Sequence, residues 1–342
     1  MITRFANCTR RRLMASATAL IALQAASAKA QTQTIPRRPM TYEAHQERVN
    51  AWTVGLAAGR IEGAPLRLAT EIARVVDDGS NMHVLPIVTR GPTENVNALL
   101  YLRGVDLAMI NADVLEEYRT EFPDIRRHIA YLFSLFPSEL HVLVRPEIQS
   151  LQELAGRKVN FNTPGTAAAY SGPLMLSRLG IDIEKTFIPH QIALQQLRKG
   201  EDGMAAVVFV TSKPVDAFTR GTWPPGFKFL PVPYDKRFED YYLPAQLERA
   251  DYPALIKQGE RIETVAVPTA LVAYNWPPGS NRYQRVARFI DYLYRRVDKL
   301  RAPGFDPQWQ TLDVSATVPG LDRFPAAQEW LEGRSRGAQV KP

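Results

Sequence analysis

Apolar positions along the chain follow two alternating rhythms. Short buried-type runs at residues 51–56, 81–88 and 105–110 predict strands, and between them apolar residues recur at helical spacing. Leu66, Leu68, Ile72, Val75 and Val76 form the stripe of a helix over residues 65–77, opened by Pro65, which a first helical turn tolerates. A helix over residues 93–103 is stopped by Gly104, and Asn111-Ala112-Asp113 opens another with a capping residue in place. Strand, small-residue loop and helix, repeated in this way, imply a largely parallel sheet.

The second half repeats the pattern. Residues 129–136 and 139–145 read as two strands separated by a break at Pro137, and a short helix follows at 150–154. Residues 158–162 form a strand that turns through Thr163-Pro164-Gly165-Thr166 into a helix ended by Gly180. A short strand at 187–188, a helix over 191–199, a strand over 205–210, the turn Thr211-Ser212-Lys213-Pro214 and a strand over 227–232 complete a block large enough for its own core. Residues 235–259 read as charged and helical, 263–274 as a strand. Pro277-Pro278-Gly279-Ser280 caps a helix over 281–300 carrying Val286, Phe289, Ile290, Leu293 and Val297 on one face. The Pro- and Gly-rich tail from Arg301 is expected on the surface, and residues 31–50 as a loosely packed leader, helix-leaning near 42–50.

In open parallel sheets, ligands sit beyond the carboxyl ends of the strands. The loops at 59–63, 89–95 and 111–113 are therefore expected on one rim. The start of the helix after Thr163 presents free amides and a hydroxyl, an anion seat in one reading and an ordinary strand-to-helix turn in the other. Arg60, Arg90 and Lys213 are cations on loops bordering such a rim, and arginine recognises carboxylates through paired hydrogen bonds. The expected ligand is thus a carboxylate. Thr163, Gly165, Thr166, Thr211 and Ser212 would take one end, and Asn95 and Asn111 polar groups at the other. The plainer roles are that Arg60 pairs with Glu62, Arg90 faces solvent, and Asn95 and Asn111 cap helices.

Charge and cysteine content change once an export signal is set aside. Arg4, Arg10, Arg11 and Arg12 precede an apolar run over residues 13–23, and Ala28-Lys29-Ala30 fits a small-x-small cleavage site. Thr9-Arg10-Arg11-Arg12-Leu13-Met14 also resembles a twin-arginine motif, which would export a folded protein. Without positions 1–30 the formal charge drops from +7 to near +2, so the basic pI is no argument for nucleic acid. Cys8 leaves with the signal, which excludes disulfides and cysteine nucleophiles in a mature periplasmic protein. No G-x-S-x-G, H-E-x-x-H, Walker or dinucleotide glycine motif is present. His45, His83, His128, His141 and His190 lack ligand spacing and are expected at the surface or in local hydrogen bonds. Neither metal nor cofactor is expected, and the chain reads as a non-catalytic binder.

Several short pieces fall in the order of a known family. They are Gly59 after an apolar strand, Thr89-x-Gly91 with Glu94-Asn95, and Asp106-Leu107-Ala108 with Asp113-Val114. Pro137-x-x-Leu140-His141-x-x-Val144-Arg145 and Leu154-x-Gly156-x-Lys158-Val159-Asn160 with Pro164-Gly165-Thr166 follow. From about Trp52 to Leu300 the chain resembles the TAXI-type solute-binding subunits of TRAP transporters. The resemblance implies an α/β, two-lobed, type II-like periplasmic binding protein, each lobe a mainly parallel sheet flanked by helices. Residues 51–139 with 267–342 would form one lobe and 140–266 the other, joined by hinge crossings near 140–143 and 265–267. It further implies a monomer that holds a small organic anion, a carboxylate or amino acid, and hands it to the membrane subunits of a TRAP permease. Two places depart from the family pattern. Glu62-Gly63 stands where tyrosines are usual, and Thr211-Ser212-Lys213-Pro214 where small residues and an aromatic are usual. A binding protein of the ABC-importer type for sulfonate- or nitrate-like oxyanions shares the architecture, as would a secreted enzyme or a sensor module built on the same two lobes.

Overall fold

The computed structural model describes residues 41–220 and 222–339. The expected export signal, Cys8 and residues 31–40 of the expected leader lie outside them. The described residues from 47 onward belong to one compact unit; of the preceding unit only 41–46, the start of an exposed helix α1 (Tyr42–Ala51), are described.

Strand β1 (Thr53–Gly59) leads to α2 (Ala64–Val76), β2 (His83–Val88), α3 (Pro92–Tyr101) and β3 (Val105–Asn111). β1 lies between β2 and β3, parallel to both. After β3 the chain makes a 3-10 segment, Ala112–Tyr118, where an α-helix was expected, then the single turn α4 (Ile125–His128) and the long strand β4 (Ile129–Val144). The second half contributes β5 (Lys158–Asn160), α5 (Ala167–Arg178), β6 (Glu184–Thr186), α6 (His190–Lys199), β7 (Met204–Thr211), α7 (Asp216–Thr219), β8 (Lys228–Phe229) and β9 (Leu243–Glu248). The chain then returns through β10 (Arg261–Tyr274), α8 (Asn281–Leu300), β11 (Asp322–Arg323) and α9 (Pro325–Gln339).

These strands make one α/β sheet of order β2-β1-β3-β10-β4-β7-β5-β6. A parallel trio stands at each end, and the chain passes between the ends in the antiparallel pair β4 and β10. β3 pairs with β10 only from Thr269 onward, β9 with β10 only up to Ala266, and β7 with β4 only from Glu139 onward. Among the described residues the sheet is therefore two strands wide at its waist, where Pro137 faces Pro268. This corrects the expected break at Pro137. Proline interrupts a strand by lacking a donor, and here the strand that would need that donor is absent on either side.

Three other expectations change. Residues 235–259 are not helical: they form a 3-10 turn (Lys236–Phe238) and β9, with Tyr241, Tyr242, Leu247 and Tyr252 buried. Pro244 and Pro253 deny that stretch a helix interior, and burial of the aromatic rings outweighs its charged composition. The expected strand at 187–188 is instead β6, with Phe187 exposed beyond its end. The tail also departs from the surface role. Trp309 is fully buried and donates through Nε1 to Glu71 at 2.5 Å, and the Asp306 amide donates to both oxygens of the same carboxylate at 3.1 Å. The tail thus fills the core over α2 and α8.

The apolar interior is asymmetric about the sheet. On one face, Ile129, Tyr131, Leu140, Val142 and Val144 of β4 belong to a cluster that runs through both halves, from Val96 and Leu99 to Met175, Leu176 and Val208. On the other, Ala130 and Leu132 join a cluster confined to the first half, while Leu143 joins one around Phe218, Phe229 and Tyr252 in the second. The second half therefore has a small core of its own, but its larger one is shared. Where the shared face joins the halves, the 3-10 segment meets α5 and residues 238–242. Tyr242 donates to Asp113 Oδ2 at 2.9 Å, and Arg126 and Tyr241 both donate to Glu116. Asp113 is completely buried, its Oδ1 has no hydrogen-bond partner among the described residues, and burial pushes its carboxyl up to about 6.

A carboxylate held in this way has a defined pH signature. Its folded-state pKa lies above the ordinary 3.8, so its favourable contribution is complete below that value and lost as pH rises through about 6. Asp113→Asn removes the titration while keeping the shape. Wild type is expected to lose about 3 kcal/mol relative to Asp113→Asn between roughly pH 4 and pH 7, and paired melting curves across that range check it.

Candidate functional site

Where the face opposite the shared core is interrupted, a cleft of about 570 Å³ lies between the two smaller clusters. Its floor is strand residues: Asn111 ends β3, Thr269 lies opposite it on β10, and Phe136 and Ser138 come from β4. Ser138 Oγ and Thr269 Oγ1 are 2.8 Å apart, and Asn111 Nδ2 donates to Thr269 Oγ1 at 3.3 Å. All three are nearly inaccessible, so each is locked by its neighbour rather than by water.

The walls are helix beginnings. Residues at the N-termini of α2, α3, α5 and α6 all line the cleft: Ala64 and Pro65, Gly91 and Pro92, Thr166 to Ala168, and Pro189 to Gln191. First-turn amides have no partner within their own helix, and the helix dipole is positive there, so the walls favour negative charge. Thr166 caps α5 by accepting from the Ala169 amide at 3.3 Å. Asn162 lines the cleft in the left-handed region, φ 62°, and its Oδ1 accepts from the His190 amide at 3.4 Å. Asparagine tolerates that conformation better than most residues.

Of the residues expected on the rim, the fold brings Gly59, Arg60, Arg90, Asn111, Thr166 and Thr211 to the cleft. Arg60 reaches across the mouth and donates to Thr163 Oγ1 at 3.0 Å, and it lies 3.5 Å from Glu62. Arg90 is 78% exposed and leans on Glu94. Gly165 lines an adjoining hollow of about 290 Å³ with Arg90, Glu94 and Tyr118. Three residues are occupied elsewhere. Asn95 is fully buried and ties α3 to strands β1 and β3, donating to the carbonyls of Ala58 and Met109 at 2.8 and 2.6 Å. Ser212 Oγ accepts from Gln308 Nε2 at 2.6 Å, joining the tail to the second half. Lys213 Nζ is spent on Asp251 and the Gln246 carbonyl, both at 2.8 Å.

The Lys213 amide donates to Glu139 Oε2 at 3.1 Å, which anchors the loop between Thr211 and Val215, two residues that line the cleft. Burial pushes the Glu139 carboxyl up to about 7. His141 is buried between the Glu139 carbonyl, 2.9 Å, and the Tyr252 hydroxyl, 2.7 Å, and burial drives its pKa down to about 3. Phe136, Ser138, Asn162, His190, Phe209 and Thr269 were not among the expected site residues. Only position could have flagged them, since Ser138 and Thr269 flank the waist and His190 opens a helix, like Thr166.

No known sequence family matches the chain, and no curated protein matches it by sequence. Comparison with solved structures finds similarities at low identity. The chain is similar to YhfZ from Shigella flexneri, with 14% identity, 77% of this chain and 97% of that one covered, and a TM-score of 0.44. It is similar to the periplasmic domain of BvgS from Bordetella pertussis at 12% identity and a TM-score of 0.41, covering 87% of this chain and 48% of that one. The amino acid ABC transporter substrate-binding protein AbpA from Streptococcus pneumoniae, bound to L-arginine, gives 14% identity, coverage of 75% and 95%, and a TM-score of 0.40.

The two turns that meet across the mouth leave no space for a side chain. A Cβ on Gly91 would stand 2.3 Å from the Gly165 carbonyl oxygen. Gly91→Ala is expected to part the turns, break the Arg60–Thr163 bond and cost about 1–3 kcal/mol. Small-angle scattering of the variant without added ligand should show a larger radius of gyration than wild type.

Proposed function

We propose that this protein is a periplasmic solute-binding protein that holds a small organic carboxylate in the cleft and delivers it to a TRAP-type permease. The carrying observation is that four helix N-termini and the Arg60 guanidinium border one cavity. The acidic residues on its rim, Glu62 and Asp216, have side chains 74% and 75% exposed, and Asp216 is paired with Arg220 at 2.6 Å. They add little negative potential inside. The cavity volume suits a metabolite-sized solute.

Binding rather than catalysis is supported by how the cleft's reactive groups are used. The Ser138 and Thr269 hydroxyls bond each other, and the His190 ring bonds a backbone carbonyl rather than a hydroxyl that it could activate. The location rests on the export signal in the sequence, and no helix among the described residues is long and apolar enough to cross a membrane. Delivery to a TRAP permease rests on the sequence resemblance. In this reading residues 51–139 with 267–342 and residues 140–266 act as lobes that close about the Pro137–Pro268 row.

Thermal-shift screening of organic acids supplies a carboxylate that raises the melting midpoint. Calorimetry with that compound then separates the two arginines. Arg60→Ala should weaken binding by about tenfold or more, through loss of a charge-assisted contact. Arg90→Ala should change it less than about threefold, because a solvated guanidinium already paired with Glu94 has little to give. Unchanged affinity in Arg60→Ala would remove the anion reading.

A further inference from the structure

His190 is the first residue of α6 and lines the cleft. Its ring stacks on Phe209, with centroids 3.5 Å apart and planes 20° from parallel, and Phe218 packs edge-on against Phe209 at 4.7 Å. Nε2 lies 2.9 Å from the Val208 carbonyl oxygen. A carbonyl can only accept, so Nε2 carries the hydrogen, and in a neutral ring Nδ1 is left with a lone pair. Nδ1 has no partner among the described residues and keeps some solvent access, on a side chain that lines the cavity. The ring stays neutral because it is buried, and the nearby Arg60 guanidinium adds to the effect; its pKa is driven down to about 4.

We propose, on the reading of the cleft as a carboxylate site, that His190 Nδ1 is a specificity-determining acceptor selecting an acid with a hydroxyl beside its carboxylate. Placement carries the argument. The acceptor and the Gln191 amide, the one first-turn amide of α6 without a partner among the described residues, belong to the same helix end, so a ligand whose carboxylate takes that amide brings a neighbouring hydroxyl to Nδ1. The floor residue Asn111 carries a neutral amide, its nitrogen donating to Thr269. An ammonium group is disfavoured at the same place. The buried carboxylate of Glu139 accepts from the Lys213 amide, and Glu62 and Asp216 stand out in solvent. Stripping water from an ammonium against neutral acceptors alone is unfavourable, whereas a hydroxyl meets no such penalty.

The test compares matched acids by calorimetry on the full mature chain: lactate, propionate and alanine; malate, succinate and aspartate; mandelate, phenylacetate and phenylglycine. In at least one set the hydroxy acid should bind about tenfold or more tighter than both relatives, since a site built to bond a hydroxyl rejects the compound lacking it. In His190→Gln the amide nitrogen stands near the position of Nε2 and keeps the tie to Val208, while the acceptor is lost. The preference should collapse to about onefold with binding of the unsubstituted acid retained. His190→Asn, whose amide oxygen stands near the position of Nδ1, should keep the preference and guards against a variant that fails to fold. Equal binding of hydroxy and unsubstituted acids in wild type, tighter binding of the amino acid, or a preference that survives His190→Gln overturns the assignment to His190 while leaving the carboxylate cleft standing. Failure of every acid to bind removes the carboxylate cleft and this inference together.

Discussion

The sheet's central pair, β4 against β10, is the constraint that the other features obey. Each of the two strands serves both halves, so the register of one half sets that of the other. Along one face the shared core lies over that pair without interruption. Along the other the apolar packing stops on either side of it, and the gap is lined by the hydroxyls and amide that strand alternation turns toward that face. The cleft is therefore a consequence of one-sided packing. A polar row across three adjacent strands cannot be covered by side chains from either half without stranding its donors and acceptors.

Local pattern carried much of this fold. α8 has the bounds that its apolar stripe and Ser280 cap imply, and the alternating first half runs as its spacing suggests. Readings failed where a distant partner decided the outcome. Pro137 reads as a break until Pro268 is placed opposite it, and the charged look of residues 235–259 hides four rings that only a tertiary core explains. Trp309 in a Pro- and Gly-rich tail gives no local hint that Glu71, far upstream, waits for its indole hydrogen.

The site was legible in its backbone and less so in its side chains. Helix beginnings at strand ends can be located from capping residues and small loops, which is why Gly59, Thr166 and Asn111 fall in the cleft. Whether a cation or an amide on the rim faces inward depends on competitors that sequence order does not reveal. Lys213 has Asp251, Ser212 has Gln308, and Asn95 has two carbonyls 37 and 14 residues away. His190 is the converse case. Nothing in its immediate neighbours marks it, and its role emerges only once Val208 and Phe209 fix the orientation of its ring.

The tail's contact with both halves bears on the order of assembly during translation. β10 inserts between β3 and β4, and Trp309 and Phe324 complete the core beneath α2. A nascent chain that has emerged only as far as α6 thus holds β1, β2 and β3 with one flank open and an unfilled space where the indole belongs. Contacts this far apart in sequence close slowly, and the first half to leave the ribosome is the last to be finished.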